Sequence, residues 1–485
     1  MTTLCCPHEF RQTGDNMLAD YCTYVQVPSL LSAYSPLLQS TDDKLFASAL
    51  FAAVLWKDLQ ERELGTLFQL ICSPCSVEGY QEIMKRLQRC LAIAALLVQQ
   101  GTLTCTHFVR SPKNKLGFQV EPHLADWHFW TSVKKRIERL AYAHRSLQFQ
   151  DQYLDVPAQE VLRCRLQGNL LALQEQMDKV QQLHQELLKY VTTRSAPCRL
   201  QWGDLVPEEM LVSLHKQTIQ RHHPQCLDDR YTNNDERTFI ISHQVSEIWF
   251  VAALAAMEEA IALLQRLEAP IFEAIALIRR ATDIICLFSS IIQMPQTIGA
   301  ADYLLFRPQL ETGSGAESIQ FRLLELRGGL RDERYRSALE HMHLMTSELR
   351  QLWDAPSLNS VFLRLVASRG IINLQDSEEE TAHRLTAIML PIGMPNPHAD
   401  LLELSEVLLD FEQQFDLWRE IHIAMVDRMI GHQRPSIGIG GKKAQLSDND
   451  SKAYLLKTRT YERMFSVLWM ARNYLQEGKR SVLTV

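Results

Sequence analysis

The stretch 236–250, ERTFIISHQVSEIWF, sets one imidazole, His243, among Phe239, Ile240, Ile241, Val245, Ile248, Trp249 and Phe250. A second histidine, His422, lies in DLWREIHIAMVDRMIG (416–431). On a helix it shares an apolar face with Trp418, Met425, Val426 and Met429, by the three- and four-residue spacing of helix neighbours. Either histidine alone fits a core residue hydrogen-bonded to a neighbour. Two of them on apolar faces fit a sharper chemistry. An imidazole on an apolar helix face is how a protein holds haem iron, the nitrogen supplying the axial bond and the apolar surface packing the macrocycle. A second imidazole across the ring would serve on the distal side. Phe239 and His243 are four residues apart and point the same way. An aromatic and an imidazole over one spot suit a flat aromatic substrate with one N–H. Arg322, directly after Phe321 in GSGAESIQFRLLELRGG, adds a guanidinium. Beside a dry pocket it would grip a carboxylate in a two-pronged way; on the helix surface it would be a solvated charge. The preceding ETGSG reads as a helix cap.

The elements that must carry these residues are helices. DKLFASALFAAVLWKDLQE, EIMKRLQRCLAIAALLVQQ and AQEVLRCRLQGNLLALQEQMDKVQQLHQELLKYV all space apolar residues by three and four. The last is long and Gln-rich, as in an extended helix packed on a partner helix. The same periodicity runs through FIISHQVSEIWFVAALAAMEEAIALLQRL, PIFEAIALIRRATDIICLFSSII and ADLLELSEVLLDFEQQFDLWREIHIAMVDRMIG. The class is all-α. A boundary is expected in the polar RHHPQCLDDRYTNND (221–235), whose His-His-Cys reads as linker, since adjacent histidines do not converge on one ion. Irregular segments are expected at 306–318 and at 431–451. The division that results is an N-terminal helical extension over 1–220 and a catalytic domain over 225–485.

Composition narrows the function classes. The chain has 485 residues, 46% of them hydrophobic and 22% charged, with net charge −7. That is ample for a large core without staples. Basic residues are scattered, so no nucleic-acid stripe is present. No apolar run reads as a membrane span, and the N-terminus has no apolar leader core. Ten of the 11 cysteines precede residue 230, and Cys286 alone follows. They read as reduced thiols of a cytoplasmic protein. The CSPC at Cys72–Cys75 has no second CxxC at zinc spacing. GIGGKK lacks the spacing of a phosphate loop.

Four segments together resemble the tryptophan 2,3-dioxygenase family. FIISHQVSEIWF is similar to its distal-helix motif. YLLFRPQLETGSGAESIQFRLLE (303–325) is similar to its FR…SG-FQS-x-QFR-x-x-E segment. APSLNSVFLRLVASRG (355–370) resembles its PSLY-x-x-FL-x-x-L-x-x-RG, and LWREIHIAMVDRMIG resembles its WR-x-x-H-x-x-x-V-x-R-x-IG helix. They occur in family order over roughly 225–478, with no resemblance seen in 1–220. The resemblance implies a helical-bundle haem dioxygenase fold with an additional N-terminal helical region. It implies haem b iron held axially by His422 on a helix that also bears Trp418. It implies an indole packed on Phe239 with its N–H at His243, a substrate carboxylate on Arg322, and a loop at GIGG (438–441) over the substrate. The implied reaction inserts both atoms of O₂ across the indole C2–C3 bond of L-tryptophan or a tryptophan derivative, giving an N-formylkynurenine-type product. Homo-oligomers are a family expectation; nucleic acid and membrane are left out of the expected partners on the scattered basic residues and the lack of an apolar span.

Two departures bear on the substrate. Ile439 stands where the family has the Thr of GTGG, which removes a hydroxyl from the amino-acid end. Ala316-Glu317-Ser318 stands for FQS, which removes a bulky aromatic. An unpaired polar group discriminates more strongly than a small apolar change, so Ile439 is the more consequential. Hydroxylation of an aromatic amino acid on the same fold, or a haem- or indole-binding sensor without turnover, are the other readings these departures and the extension leave open.

Overall fold

The computed structural model describes residue 25 and residues 40–110, 119–120, 128–150, 155–192, 199–200, 232–307, 315–341, 344–389, 396–430 and 463–482. The described elements are almost all helices, as the periodicity predicts. One two-residue parallel pairing, Gln119–Val120 with Arg199–Leu200, is the named sheet among the described residues. The chain forms two compact units, each assembled from separated stretches.

The first unit holds residues 1–249, 287–315 and 424–443. Its first helix, α1 (Thr41–Cys72), starts at a capping box: the Ser40 hydroxyl accepts from the Asp43 amide at 3.0 Å and the Asp43 carboxylate accepts from the Ser40 amide at 3.1 Å. Then come α2 (Val77–Arg110), α3 (His128–Ala143) and α4 (Val156–Thr192). The long α4 packs on α2, as its pattern predicts, and α1 packs on both α2 and α3. Trp56, Leu59, Ile83, Leu87, Leu166, Leu173 and Met177 fill the space between them. By length and composition α2 has a stretch, Val77–Phe108, apolar enough to cross a membrane, which corrects the reading that no run is long enough. Half of that window is buried inside the protein. Arg86 and Arg89 of the same helix are buried in ion pairs with Glu63 of α1.

Helix α5 (Thr232–Leu264) enters this unit through residues 232–249. The polar stretch expected as a boundary at 221–235 is therefore helical from Thr232, and Asn234 and Asp235 are buried. Burial is tolerable because each polar group finds a partner in the preceding helices. Asn234 Nδ2 donates to Thr66 Oγ1 at 3.4 Å, and Ser48 Oγ donates to the Ile248 carbonyl at 3.2 Å. After α6 (Ile271–Ile291), a 3₁₀ turn (Met294–Thr297) leads to the short α7 (Ala300–Phe306).

The second unit holds residues 250–286, 316–423 and 444–485. Ser318 caps α8 (Ile319–Gly328), its hydroxyl accepting from Phe321 N at 3.2 Å. The cap is thus Ser318 itself, after the ETGSG stretch that sequence favoured, because an N-cap oxygen must reach the amide three residues on. The helix ends at Gly329, whose φ of 130° excludes an ordinary side chain; a Cβ there would lie 2.7 Å from Asn359 Cβ. α9 (Glu333–His341), α10 (Ser347–Trp353), α11 (Leu358–Ser368) and α12 (Glu378–Met389) follow, then α13 (Ala399–Ile430) and α14 (Ser466–Val482). α14 packs on α12, and buried Glu412 of α13 accepts from the Met464 and Phe465 amides and from Trp469 Nε1.

Candidate active site

In the first unit, α5 presents Phe239 and His243 one turn apart, with ring centroids separated by 4.3 Å. Phe239 also meets Tyr303 at 6.0 Å and Phe306 at 5.7 Å, both on α7, and those two rings meet edge to face at 5.3 Å. The four rings form one aromatic wall. His243 is 9% exposed, and its Nδ1 lies 2.8 Å from the Phe239 carbonyl. A carbonyl only accepts, so Nδ1 carries the proton. Burial pushes the His243 pKa below its ordinary 6.5, with the Phe239 hydrogen bond working the other way. The ring is therefore neutral near pH 7 and presents Nε2 as an acceptor. A Cβ built on Gly315 would lie 4.0 Å from Nε2 and from Cδ2, so that edge faces a residue without a side chain. An acceptor nitrogen beside an aromatic wall matches a flat ring bearing one N–H. Burial also pushes the Tyr303 phenol up to about 12, which keeps it protonated.

In the second unit, Arg322 of α8 is 1% exposed. Its Nη1 donates to Glu325 Oε2 at 2.5 Å, and Tyr335 Oη donates to the same oxygen at 2.7 Å. Arg419 of α13 donates to Glu325 Oε1 at 3.0 Å. Burial works against the Arg322 charge, but Glu325 and Tyr335 together outweigh it and hold the pKa above its ordinary value. Two guanidiniums thus share one buried carboxylate, and Arg419 Nη1 also donates to Asp416 Oδ1 at 3.2 Å. A guanidinium held in place this way is the kind of group that takes a substrate carboxylate.

The Arg322 guanidinium lies over the Phe321 ring at 4.9 Å, and Phe321 packs on Trp418 at 4.7 Å. Trp418 in turn meets the half-buried His422 ring at 5.1 Å, edge to face. Trp418, Met425, Val426 and Met429 are all buried, as the helix-face argument for His422 requires. Among the described residues no three His, Cys, Asp or Glu side chains converge as a bare ion would need. A single imidazole beside an aromatic shelf fits a metal that arrives inside a macrocycle, which brings its own equatorial nitrogens. The structure thus joins Phe239 to His243, and Arg322 through Phe321 to Trp418 and His422. Ile439 and the GIGG segment lie outside the described residues, as does the Ala316 side chain.

The tryptophan 2,3-dioxygenase family model matches residues 208–353. A tryptophan 2,3-dioxygenase of Bradyrhizobium sp. (strain ORS 278) is 30% identical over 252 residues, covering 50% of this chain and 85% of the relative. The chain belongs to the tryptophan 2,3-dioxygenase family. Another member, from Ruegeria pomeroyi, is 31% identical over 231 residues, 46% of this chain and 81% of the relative. A second Bradyrhizobium relative (strain BTAi1 / ATCC BAA-1182) is 30% identical over 220 residues, 43% and 77% respectively. In this dioxygenase-family chain, sequence reasoning passed over Glu325, Tyr335 and Arg419. Glu325 is three residues beyond Arg322, the spacing of a helical ion pair, and was legible there. Tyr335 and Arg419 become partners only through the fold. Tyr303 and Phe306 lie in the 303–325 segment, but nothing in their spacing to Phe239 announces a shared wall.

Proposed function

We propose that this chain is a haem-dependent dioxygenase that opens the indole C2–C3 bond of L-tryptophan or a close derivative, with both atoms of O₂ entering the product. The observation that carries the reading is His243, a buried imidazole held neutral, with its proton pinned at Nδ1 by Phe239. A neutral acceptor of that kind supports binding of an indole N–H and leaves the proton in place. Phe239 would pack on the indole plane. Arg322, held by Glu325, would take the carboxylate and so fix which ring bond is presented. His422 would hold the haem iron, with Trp418 against its ring. When bound, haem supplies the redox-active iron that the oxygen chemistry requires. The protein side contributes orientation and exclusion of water around groups that are already buried.

The test is an absorbance spectrum of the haem-supplemented protein beside His422→Ala, reduced and then given L-tryptophan and O₂. A Soret band lost in the variant, with N-formylkynurenine-type absorbance growing in the wild type, is the expected result. A Soret band that survives in His422→Ala would remove that residue from the iron. A product heavier by one oxygen in place of two would replace ring cleavage by hydroxylation.

A further inference from the structure

The family match begins at residue 208, so nothing in it assigns a role to α1–α4. Helix α2 carries Glu82, Lys85, Arg86 and Arg89 at helix-face spacing, a charged stripe of the kind that normally faces water. Here Arg86 and Arg89 are almost fully buried. Arg89 Nη2 pairs with Asp235 at the start of α5. The same guanidinium donates from Nη1 to Glu63 at 2.5 Å, from Nε to Thr297 Oγ1 at 3.0 Å and from Nη2 to the Thr297 carbonyl at 3.0 Å. Lys85 Nζ lies 3.4 Å from Asp235 and 2.8 Å from Asp302. Two cations of one helix therefore hold two other elements at once: the first turn of α5, and the segment 297–302 that opens α7.

Those two elements carry the two halves of the aromatic wall. Phe239 and His243 stand one and two turns beyond Asp235, and Tyr303 directly follows Asp302. A buried ion-pair network adds little net stability over an apolar core of the same volume, and its best-attested use is to fix register. At this place the register it fixes is that of α5 against α7. Burial works to raise the Asp235 pKa, but Arg89 and Lys85 overcome it and hold the carboxyl below its ordinary value. The charges are thus matched only while all three elements stay in place. Further ties run along α5 from the same region: Arg237 lies 3.9 Å from Asp58, and Gln244 donates to the Val25 carbonyl at 3.0 Å.

We propose that Arg89 and Lys85 are positioning residues for the indole-binding wall, so that the N-terminal helices act within the same chain as a determinant of ring specificity. The proposal rests on the dioxygenase reading for its substrate, and on the clamp geometry for its mechanism. A shift at Asp235 travels along a rigid helix to His243, so the indole loses contact with its wall in ground and transition state alike, which raises KM and spares kcat.

The experiment compares wild type, Lys85→Met, Arg89→Lys and a control, Tyr80→Phe, in full-length haem-loaded enzyme. Tyr80 is also on α2, but its hydroxyl donates to the Leu162 carbonyl of α4 and lies outside the clamp. The readouts are kcat and KM for L-tryptophan and for ring-methylated tryptophans, with amide hydrogen exchange over 235–243 and 300–306 in the absence of substrate. The expected result is a KM for tryptophan raised about tenfold in both clamp variants, with kcat within about twofold. Preference for tryptophan over the methylated rings narrows, exchange rises in both segments, and Tyr80→Phe matches wild type. KM unchanged in both clamp variants, or losses in kcat and KM shared equally by the control, would overturn the proposal. If the wild type turns over no tryptophan, the dioxygenase reading fails with the specificity claim. Exchange confined to 235–243 and 300–306 would then still establish the clamp, and unchanged exchange would remove it.

Discussion

Glu325→Gln is the substitution whose cost the structure fixes most directly. The carboxylate is fully buried and accepts from Arg322, Arg419 and Tyr335. Removing one partner of a buried ion pair costs about 3–5 kcal/mol, because the other charge stays desolvated. Glutamine keeps one carbonyl acceptor, so the lower part of that range, about 3 kcal/mol, is expected. Its amide hydrogens would also face a donor, and the two guanidiniums would lose the charge between them. For a unit of about 150–250 residues each kcal/mol lowers the midpoint by about 2–4 °C, so the drop is about 10 °C. Tyr335→Phe removes one hydrogen bond and leaves the ion pairs, so it costs about 1 kcal/mol, or about 3 °C. The assay is thermal unfolding of the full chain by calorimetry at neutral pH, repeated in high salt. Buried charges are little screened, so the difference between wild type and Glu325→Gln survives added salt. A Glu325→Gln midpoint at or above that of Tyr335→Phe would refute the reasoning and demote Glu325 to a surface-like partner.

Burial holds the His184 imidazole down at about 4 against an ordinary 6.5. The unfolded chain therefore takes up this proton first, and stability falls as pH drops from about 6.5 toward about 4. At pH 5 the loss is about 2 kcal/mol by linkage, and denaturant titrations of His184→Gln at pH 7 and pH 5 should lack that increment. His243 also has a lowered pKa, so KM for tryptophan should be flat from about pH 6.5 upward and rise only below it; an acid limb that persists in His243→Gln would assign it to another group. Gly329→Ala forces a side chain into φ of 130° and against Asn359, and should lower stability by about 1–3 kcal/mol in the same titration.

The helices and the faces of Phe239, His243 and His422 were legible because each is decided by spacing within one element. Arg322 was legible as a guanidinium on a helix, but its burial was not, since that depends on Glu325 and on Arg419 from a helix almost a hundred residues later. The polar run ending at Asp235 looked like a linker for the same reason. Asn, Asp and Arg in sequence signal solvent unless their partners are known, and here the partners sit on α1 and α2. Ser318 as the cap was hidden among several cap-competent residues in ETGSGAES, where only the geometry at Phe321 N singles one out.

The clamp also separates two kinds of boundary. The family model's match starts at residue 208, but Asp235 is balanced by a guanidinium 146 positions earlier, Thr297 by the same group 208 positions away, and Ile248 by a hydroxyl 200 away. A chain begun at residue 208 would lose that counter-charge together with helices that help bury Asp235, so the first turn of α5 would lose its ties to α2. The matched stretch and the packed unit therefore begin at different places. Burial of the segment that carries His243 thus depends on side chains from far earlier in the chain, which makes its assembly a long-range event.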